Sequence, residues 1–154
     1  MELLSSVSPS AVIQTFEELT TRELYEILKV RAAVFVVEQE CPYQDLDDTD
    51  FRATHITLRH DGRIVAYSRV FKGEEAGLWH IGRVVTTRRG EGFGLQVMRE
   101  SIGAAERLGA GVIEIEAQCY AIGFYEKAGF RVCSDEFLLD GIFHKRMKLE
   151  IQQL

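Results

Sequence analysis

Apolar residues recur along this chain at two spacings, and the switches between them outline the elements. Ala11 to Glu18 reads as a short first strand. Thr20 followed by Glu23 is a capping box. It opens an amphipathic helix with Leu24, Ile27, Leu28 and Val34 or Phe35 on one stripe, and Pro42 ends this helical region. Tyr43 to Asp50 is an acidic loop. Two β-rich runs, Thr54 to His60 and Arg63 to Phe71, flank Asp61-Gly62 and predict a hairpin. After a loop at Lys72 to Gly77, Leu78 to Thr86 predicts another strand. Gly90, Gly92 and Gly94 interrupt the pattern, and beyond them Leu95, Met98, Ile102 and Ala105 mark a helix that Gly109 and Gly111 stop. Val112 to Ala117 is a strand with Ile113, Ile115 and Ala117 on one face and Glu114 and Glu116 on the other. Ala121 to Ala128 is short and helical, stopped by Gly129. Phe130 to Cys133 and Ile142 to Leu149 are two closing strands, with Asp140-Gly141 as the turn before the last. The order β, α, ββ, β, α, β, α, ββ predicts an α+β or mixed α/β sheet.

Composition narrows the function classes. A chain of 154 residues fits one domain spanning 1–154, and the polar stretch 1–10 is expected to be a loosely ordered N-terminus without signal-peptide features. With 18 Lys and Arg against 24 Asp and Glu, the net charge is −6, which argues against a nucleic-acid partner. No run approaches the length of a membrane span. Cys41, Cys119 and Cys133 form no pair pattern and no zinc spacing, so a reducing, cytoplasmic setting and no metal are expected.

The most informative segment is Val84-Val85-Thr86-Thr87-Arg88-Arg89-Gly90-Glu91-Gly92-Phe93-Gly94, between a strand and a helix N-terminus. Glycines let backbone approach a ligand, and free N–H groups with the helix dipole favour an anion. Arg88 and Arg89 add positive charge, so a phosphate or pyrophosphate is the natural guest; a tight turn without a ligand is the alternative. The segment is neither a Walker A loop nor a dinucleotide fingerprint.

Arg89-x-x-Gly92-x-Gly94 resembles the pyrophosphate signature of the GNAT acyltransferase superfamily, and Gln118 to Phe130, with Phe-Tyr-Glu-Lys-x-Gly-Phe at its end, resembles that family's coenzyme-binding region. Phe35 to Asp47, Ile81 to Val85 and Asp140-Gly141-Ile142-x-His144 are similar to its ElaA-like branch, and the resemblance covers residues 14–149. It implies a GNAT fold: six to seven strands, mostly antiparallel, a central parallel pair splayed at the cofactor site, and about four flanking helices. It also implies an acetyl-CoA-dependent N-acetyltransferase, with acetyl-CoA as co-substrate and a small-molecule or peptide amine as acceptor. A protein lysine is an alternative acceptor, and a homodimer is in keeping with the family.

The resemblance also suggests roles for particular residues. Backbone groups of Val84, Val85 and Thr86 would run beside the pantetheine arm, with an N–H near Val84 polarising the thioester carbonyl. N–H groups of Gly90, Glu91, Gly92, Phe93, Gly94 and Leu95 would cradle the pyrophosphate, supplemented by Arg89 unless its side chain instead covers the turn. Gln118 stands where many relatives carry an Asn, and Tyr125 where they place the acid that protonates the leaving sulfur. A phenol suits that task, since its pKa near 10 keeps it protonated at pH 7.

The strand Leu78 to Arg83 has no carboxylate, which leaves a non-catalytic acyl-CoA-binding module open. His80 is the base candidate by type, with an ordinary strand histidine as the alternative. His55 and His144 are candidates for the acceptor pocket. Asp45, Asp47, Asp48 and Asp50 read as a solvated turn, in preference to steering of a cationic amine; a calcium loop would need a glycine at its sixth position. Cys119 has no adjacent base partner, so direct transfer is expected.

Overall fold

The computed structural model describes residues 9–152; the expected loose start therefore falls mainly on residues outside the described ones, and Ser10 already opens the first strand. Eight strands form one sheet: β1 (Ser10–Thr15), β2 (Thr54–His60), β3 (Arg63–Lys72), β4 (Leu78–Thr86), β5 (Val112–Gln118), β6 (Arg131–Val132), β7 (Phe137–Leu139) and β8 (Ile142–Glu150). Their order is β1-β2-β3-β4-β5-β8-β6, with β7 also pairing β8. Every pairing is antiparallel except β4–β5. The helices are α1 (Thr21–Arg31), α2 (Phe93–Arg107) and α3 (Ile122–Lys127), and a π-helical segment, Ala32–Glu38, continues α1. The GNAT arrangement expected above is present, with strand and helix counts differing slightly.

Local chemistry accounts for most boundaries. The Thr20 hydroxyl accepts from the Glu23 N–H at 3.0 Å, and the Glu23 carboxylate accepts from the Thr20 N–H at 2.9 Å. Thr15 and Glu18 make a second such box around a short 3-10 turn, so β1 stops three residues before the expected end. The apolar run Ala32–Val37 carries three β-branched residues, which crowd regular α geometry, and here the helix widens. The strand Phe137–Leu139 was not expected; it pairs with β8 across the Asp140-Gly141 turn.

The two long helices lie on opposite faces. α2 covers Val65, Val70, Ile81, Ile113 and Ile115, while α1 and the π segment cover Ile64, Tyr67 and Val85. Covered on both sides, Ile64 to Val70 of β3 is an unbroken buried run. No described helix is long and apolar enough to cross a membrane.

One irregularity positions the site. β4 and β5 pair only from Leu78 to His80 and Val112 to Glu114, then diverge. On its other edge β4 slips register against β3 between Tyr67 and Arg69, and Arg83 there has a left-handed φ of 54°. A bulge bends its strand and increases twist, which opens the gap.

Candidate active site

A cavity of about 860 Å³ occupies that gap. Because Ile81, Ile113 and Ile115 face α2, the alternating His80, Gly82, Glu114 and Glu116 face the other side of the sheet. All of these except Ile113 line the cavity, as do Phe93, Phe124 and Tyr125 from the α2–α3 side, so it is lined from both faces.

The glycine turn forms one wall: Arg89, Gly90, Gly92, Phe93, Gly94 and Leu95 line it together with Val84, Val85 and Thr86. Gly92 caps α2 with φ 79°, a left-handed conformation that glycine adopts without strain. The Gln96 N–H is the first to bond back, to the Gly92 carbonyl at 3.1 Å, so the N–H groups just before it lack intrahelical acceptors. A Cβ on Gly94 would stand 3.2 Å from the Phe124 ring and 3.4 Å from Thr86, which explains the small residue where α2 meets α3.

The two side chains expected to hold the coenzyme are already engaged. Arg89 pairs with Glu38, and Gln118 exchanges amide hydrogen bonds with Gln39 at 3.2 and 3.3 Å. Glu38 and Gln39 thus touch one residue on each side of the gap, a connection with no sequence-local signal.

Tyr125 is half-buried in the cavity wall, edge-on to Phe124 and Phe130. Burial pushes its phenol up to about 12, so it is protonated at neutral pH. The same desolvation raises the basicity of a thiolate beside it, which preserves the driving force for protonation.

The three candidate histidines part company. His80 lines the cavity, with Nδ1 donating to the Glu114 carbonyl at 3.1 Å, so that Nε2, beside Gly73, is the ring nitrogen left for accepting. His144 also lines it, stacked on Phe137 with Nδ1 2.7 Å from the Ile142 carbonyl. His55 does not fit the expected place in the acceptor pocket. It is 1% exposed, between the Tyr67 hydroxyl at 2.7 Å and the Asp50 carbonyl at 2.9 Å.

The acidic loop is only in part a solvated turn: Asp47 and Asp48 are exposed, but Asp45 and Asp50 are buried. Arg31, 0% exposed, donates to Asp45 Oδ2 at 3.1 Å, the Asp45 carbonyl at 3.0 Å and Asp50 Oδ1 at 2.7 Å. Arg69 holds Asp47 with two bonds at 2.8 and 2.6 Å and Asp50 with one at 2.9 Å. Arg83 donates to Asp45 Oδ1 at 2.7 Å and the Asp45 carbonyl at 3.0 Å, and its guanidinium lies over the Tyr43 ring. Three cations thus occupy the three carboxylates of Asp45, Asp47 and Asp50 that looked available to an amine or a metal. A left-handed non-glycine residue costs about 1–2 kcal/mol; a hydrogen bond between charged groups contributes about 1.5–3. The pairing therefore outweighs the strain at Arg83.

These environments set an acid sensitivity. Burial pushes His55 below its ordinary 6.5 although the Asp50 carbonyl bond works the other way. Burial alone would raise Asp47 and Asp50, but Arg69 and Arg83 hold Asp47 down at about 2, and Arg31 and Arg69 hold Asp50 below 3.8. All three have lowered folded values, so each contribution is present above the unfolded pKa and is lost as pH falls. Urea stability is expected to decline in two stages, first below pH 6.5 as unfolded His55 protonates, then below 3.8 with the aspartates. A His55→Gln variant should lose only the upper stage; an unaltered upper stage would place its origin elsewhere.

The resemblance seen in the motifs extends over the whole fold. A family model for the acetyltransferase (GNAT) domain matches residues 14–151. A UPF0039 protein of Schizosaccharomyces pombe is 36% identical over 145 residues, 91% of this chain and 96% of its own. Protein ElaA of Escherichia coli is 35% identical over 142 residues, 88% and 93% of the two chains. The crystal structure of that ElaA aligns with a TM-score of 0.86 at 32% identity over 92% of this chain and 99% of the other. An acyl-CoA N-acyltransferase from Pseudomonas aeruginosa gives 0.84 at 35% identity over 91% and 99%. With motifs, sequence and backbone agreeing over nearly its full length, the chain belongs to the GNAT acetyltransferase family, in the branch that contains ElaA.

Proposed function

We propose that the protein is an acetyl-CoA-dependent N-acetyltransferase that passes the acetyl group directly to a primary amine of a small molecule or peptide. The observation that carries this reading is the cavity in the β4–β5 gap, with the glycine turn and Tyr125 in one part of its wall and His80, Glu114, Glu116 and His144 in another. The gap-facing edge of Val84 to Thr86 offers backbone groups to an extended pantetheine arm. N–H groups from Gly90 to Leu95, with Arg89 released from Glu38, hold the pyrophosphate. Gln118 turns from Gln39 to the coenzyme.

Transfer then needs three things of this chain. A backbone N–H near Val84 donates to the oxyanion as the amine nitrogen attacks the thioester carbon. His80 Nε2 takes the proton that the amine loses. Tyr125 gives its phenolic proton to the sulfur as the carbon–sulfur bond breaks, and the product amide leaves with free coenzyme A. Glu114 and Glu116 give the acceptor end a negative potential that draws in the ammonium form, which gives one proton to solvent before its neutral nitrogen attacks. Cys119 fits a nucleophile poorly: desolvation and the Glu136 carboxylate, 3.8 Å away, push its thiol up.

Calorimetry should show binding of acetyl-CoA and coenzyme A but not NAD or ATP. Binding of none, or of NAD or ATP instead, would overturn the reading. Glu38→Gln should tighten coenzyme A binding several-fold, since the Glu38 carboxylate no longer competes with phosphate for Arg89 (roughly 1 kcal/mol for an exposed charge pair).

A further inference from the structure

The bulge in β4 is an unusual place for an arginine. It lies in the interior of a nine-residue strand, its φ of 54° favours glycine, and the next residues are those proposed to meet the thioester. Chain-local forces do not select that conformation for Arg83; something outside the strand must hold it. The Tyr43 to Asp50 loop is placed to do so from both sides of the irregularity. Arg69 stands on β3 opposite Gly82, where the register slips, and grips Asp47 by a two-bond fork. Arg83, on the bulged strand, grips Asp45 through its Nε and also reaches Asp47 at 3.3 Å. Asp45 shares its carboxylate between Arg83 on one oxygen and Arg31 on the other, so the end of α1 is tied to the bulge through one side chain.

We propose that this arginine–aspartate network is the device that sets the β4 bulge, and with it the direction of the Val84 N–H, so that Arg83 and Asp45 are positioning residues for acyl transfer. The proposal rests on the acyltransferase reading for its catalytic consequence, but not for its structural one. Arg83 lines the cavity, but its Nε and one terminal nitrogen are bonded to the loop and its guanidinium is seated over Tyr43, which makes it a positioning residue in this proposal. The loop carboxylates serve the bulge in place of an acceptor, which accounts for their burial: Asp45 is 9% and Asp50 5% exposed.

The test exploits the φ angle. In Arg83→Ala the guanidinium is gone while a Cβ still disfavours the left-handed conformation, so the bulge relaxes. In Arg83→Gly the guanidinium is equally gone, yet the backbone keeps that conformation freely. The backbone amide signals of Val84 and Val85 in the nitrogen–proton NMR spectrum of the free protein should therefore move in R83A and return toward wild-type positions in R83G. With acetyl-CoA and the fastest amine of a library, kcat should fall about 100-fold in R83A, the cost of a roughly 1 Å misplacement, and R83G should recover most of that loss. Coenzyme A affinity, to which the glycine turn contributes beside the Val84 to Thr86 backbone, should change far less than kcat in both. Equal loss in the two variants would show that the guanidinium itself is needed, and unchanged amide signals in R83A would show that the network does not set the bulge; either overturns the proposal. Should the wild type transfer to no amine while the amide contrast holds, the bulge-setting role stands and the acyltransferase reading fails.

Discussion

Arg31→Met is expected to lower the unfolding free energy by about 3–5 kcal/mol, the range for breaking a buried ion pair by removing one partner. Arg31 is 0% exposed and donates three hydrogen bonds, two to Asp45 and one to Asp50. Its loss leaves two aspartates, both under a tenth exposed, with fewer counter-charges. Methionine matches the volume of the stem but satisfies none of those oxygens. Urea unfolding followed by circular dichroism would measure the effect, as a lower midpoint with an unchanged slope. Arg31→Met combined with Asp50→Asn should be less destabilised than the sum of the two single variants, because one substitution removes part of the charge that the other strands. A loss below about 1 kcal/mol, the range of an exposed pair, would mean that water reaches the cluster and that it does not brace the site.

For turnover, the largest single-atom effect is expected at Tyr125. Tyr125→Phe keeps the ring, which packs edge-on against Phe124 and Phe130 at centroid distances of 5.0 and 6.3 Å, and removes only the proton donor. On the proposed mechanism kcat should fall by about 100-fold or more, the usual contribution of general acid catalysis, while coenzyme A affinity and unfolding midpoint stay near wild type. The pH profile of the wild type should not show loss of this acid until strongly alkaline conditions, since burial pushes the phenol up to about 12. Loss of affinity with kcat unchanged would assign the hydroxyl to binding, and unchanged kinetics would remove Tyr125 from the chemistry.

Much of the architecture is written in short-range patterns. The Thr20–Glu23 box, the Asp61-Gly62 turn and the alternation of Ile113, Ile115 and Ala117 each depend on residues within a few positions of one another. The structure has α1, the β2–β3 hairpin and the buried face of β5 at those places. The glycine turn was legible for the same reason: a strand, a backbone free of side-chain bulk and a helix N-terminus follow one another directly, and its free N–H groups are a local feature. In α2 the stripe was read in part: Met98 and Ala105 are buried and Ile102 packs against the core, but the covered face extends further. Val97, Met98, Ser101, Ala104 and Ala105 are its buried residues, and only contact with the sheet decides which neighbouring row of a helix is covered.

Other features were invisible because they depend on partners far along the chain. Phe137 to Leu139 is too short to declare itself a strand without β8 beside it. An acidic run normally faces water; Asp45 and Asp50 of this one are buried because Arg31, Arg69 and Arg83, 14 to 38 positions from the aspartates they bind, converge on the loop. Histidine spacing carried no sign that His55 is enclosed by Tyr67 and the Asp50 backbone while His80 and His144 reach the cavity. The sequence by itself determined the order of the longer elements and the glycine turn that opens α2, since propensity, capping and alternation act between near neighbours. Only the tertiary structure decided where β4 bulges, which histidines share the cavity and what neutralises the aspartates, since burial and charge pairing are settled by distances between segments that the chain brings together when it folds.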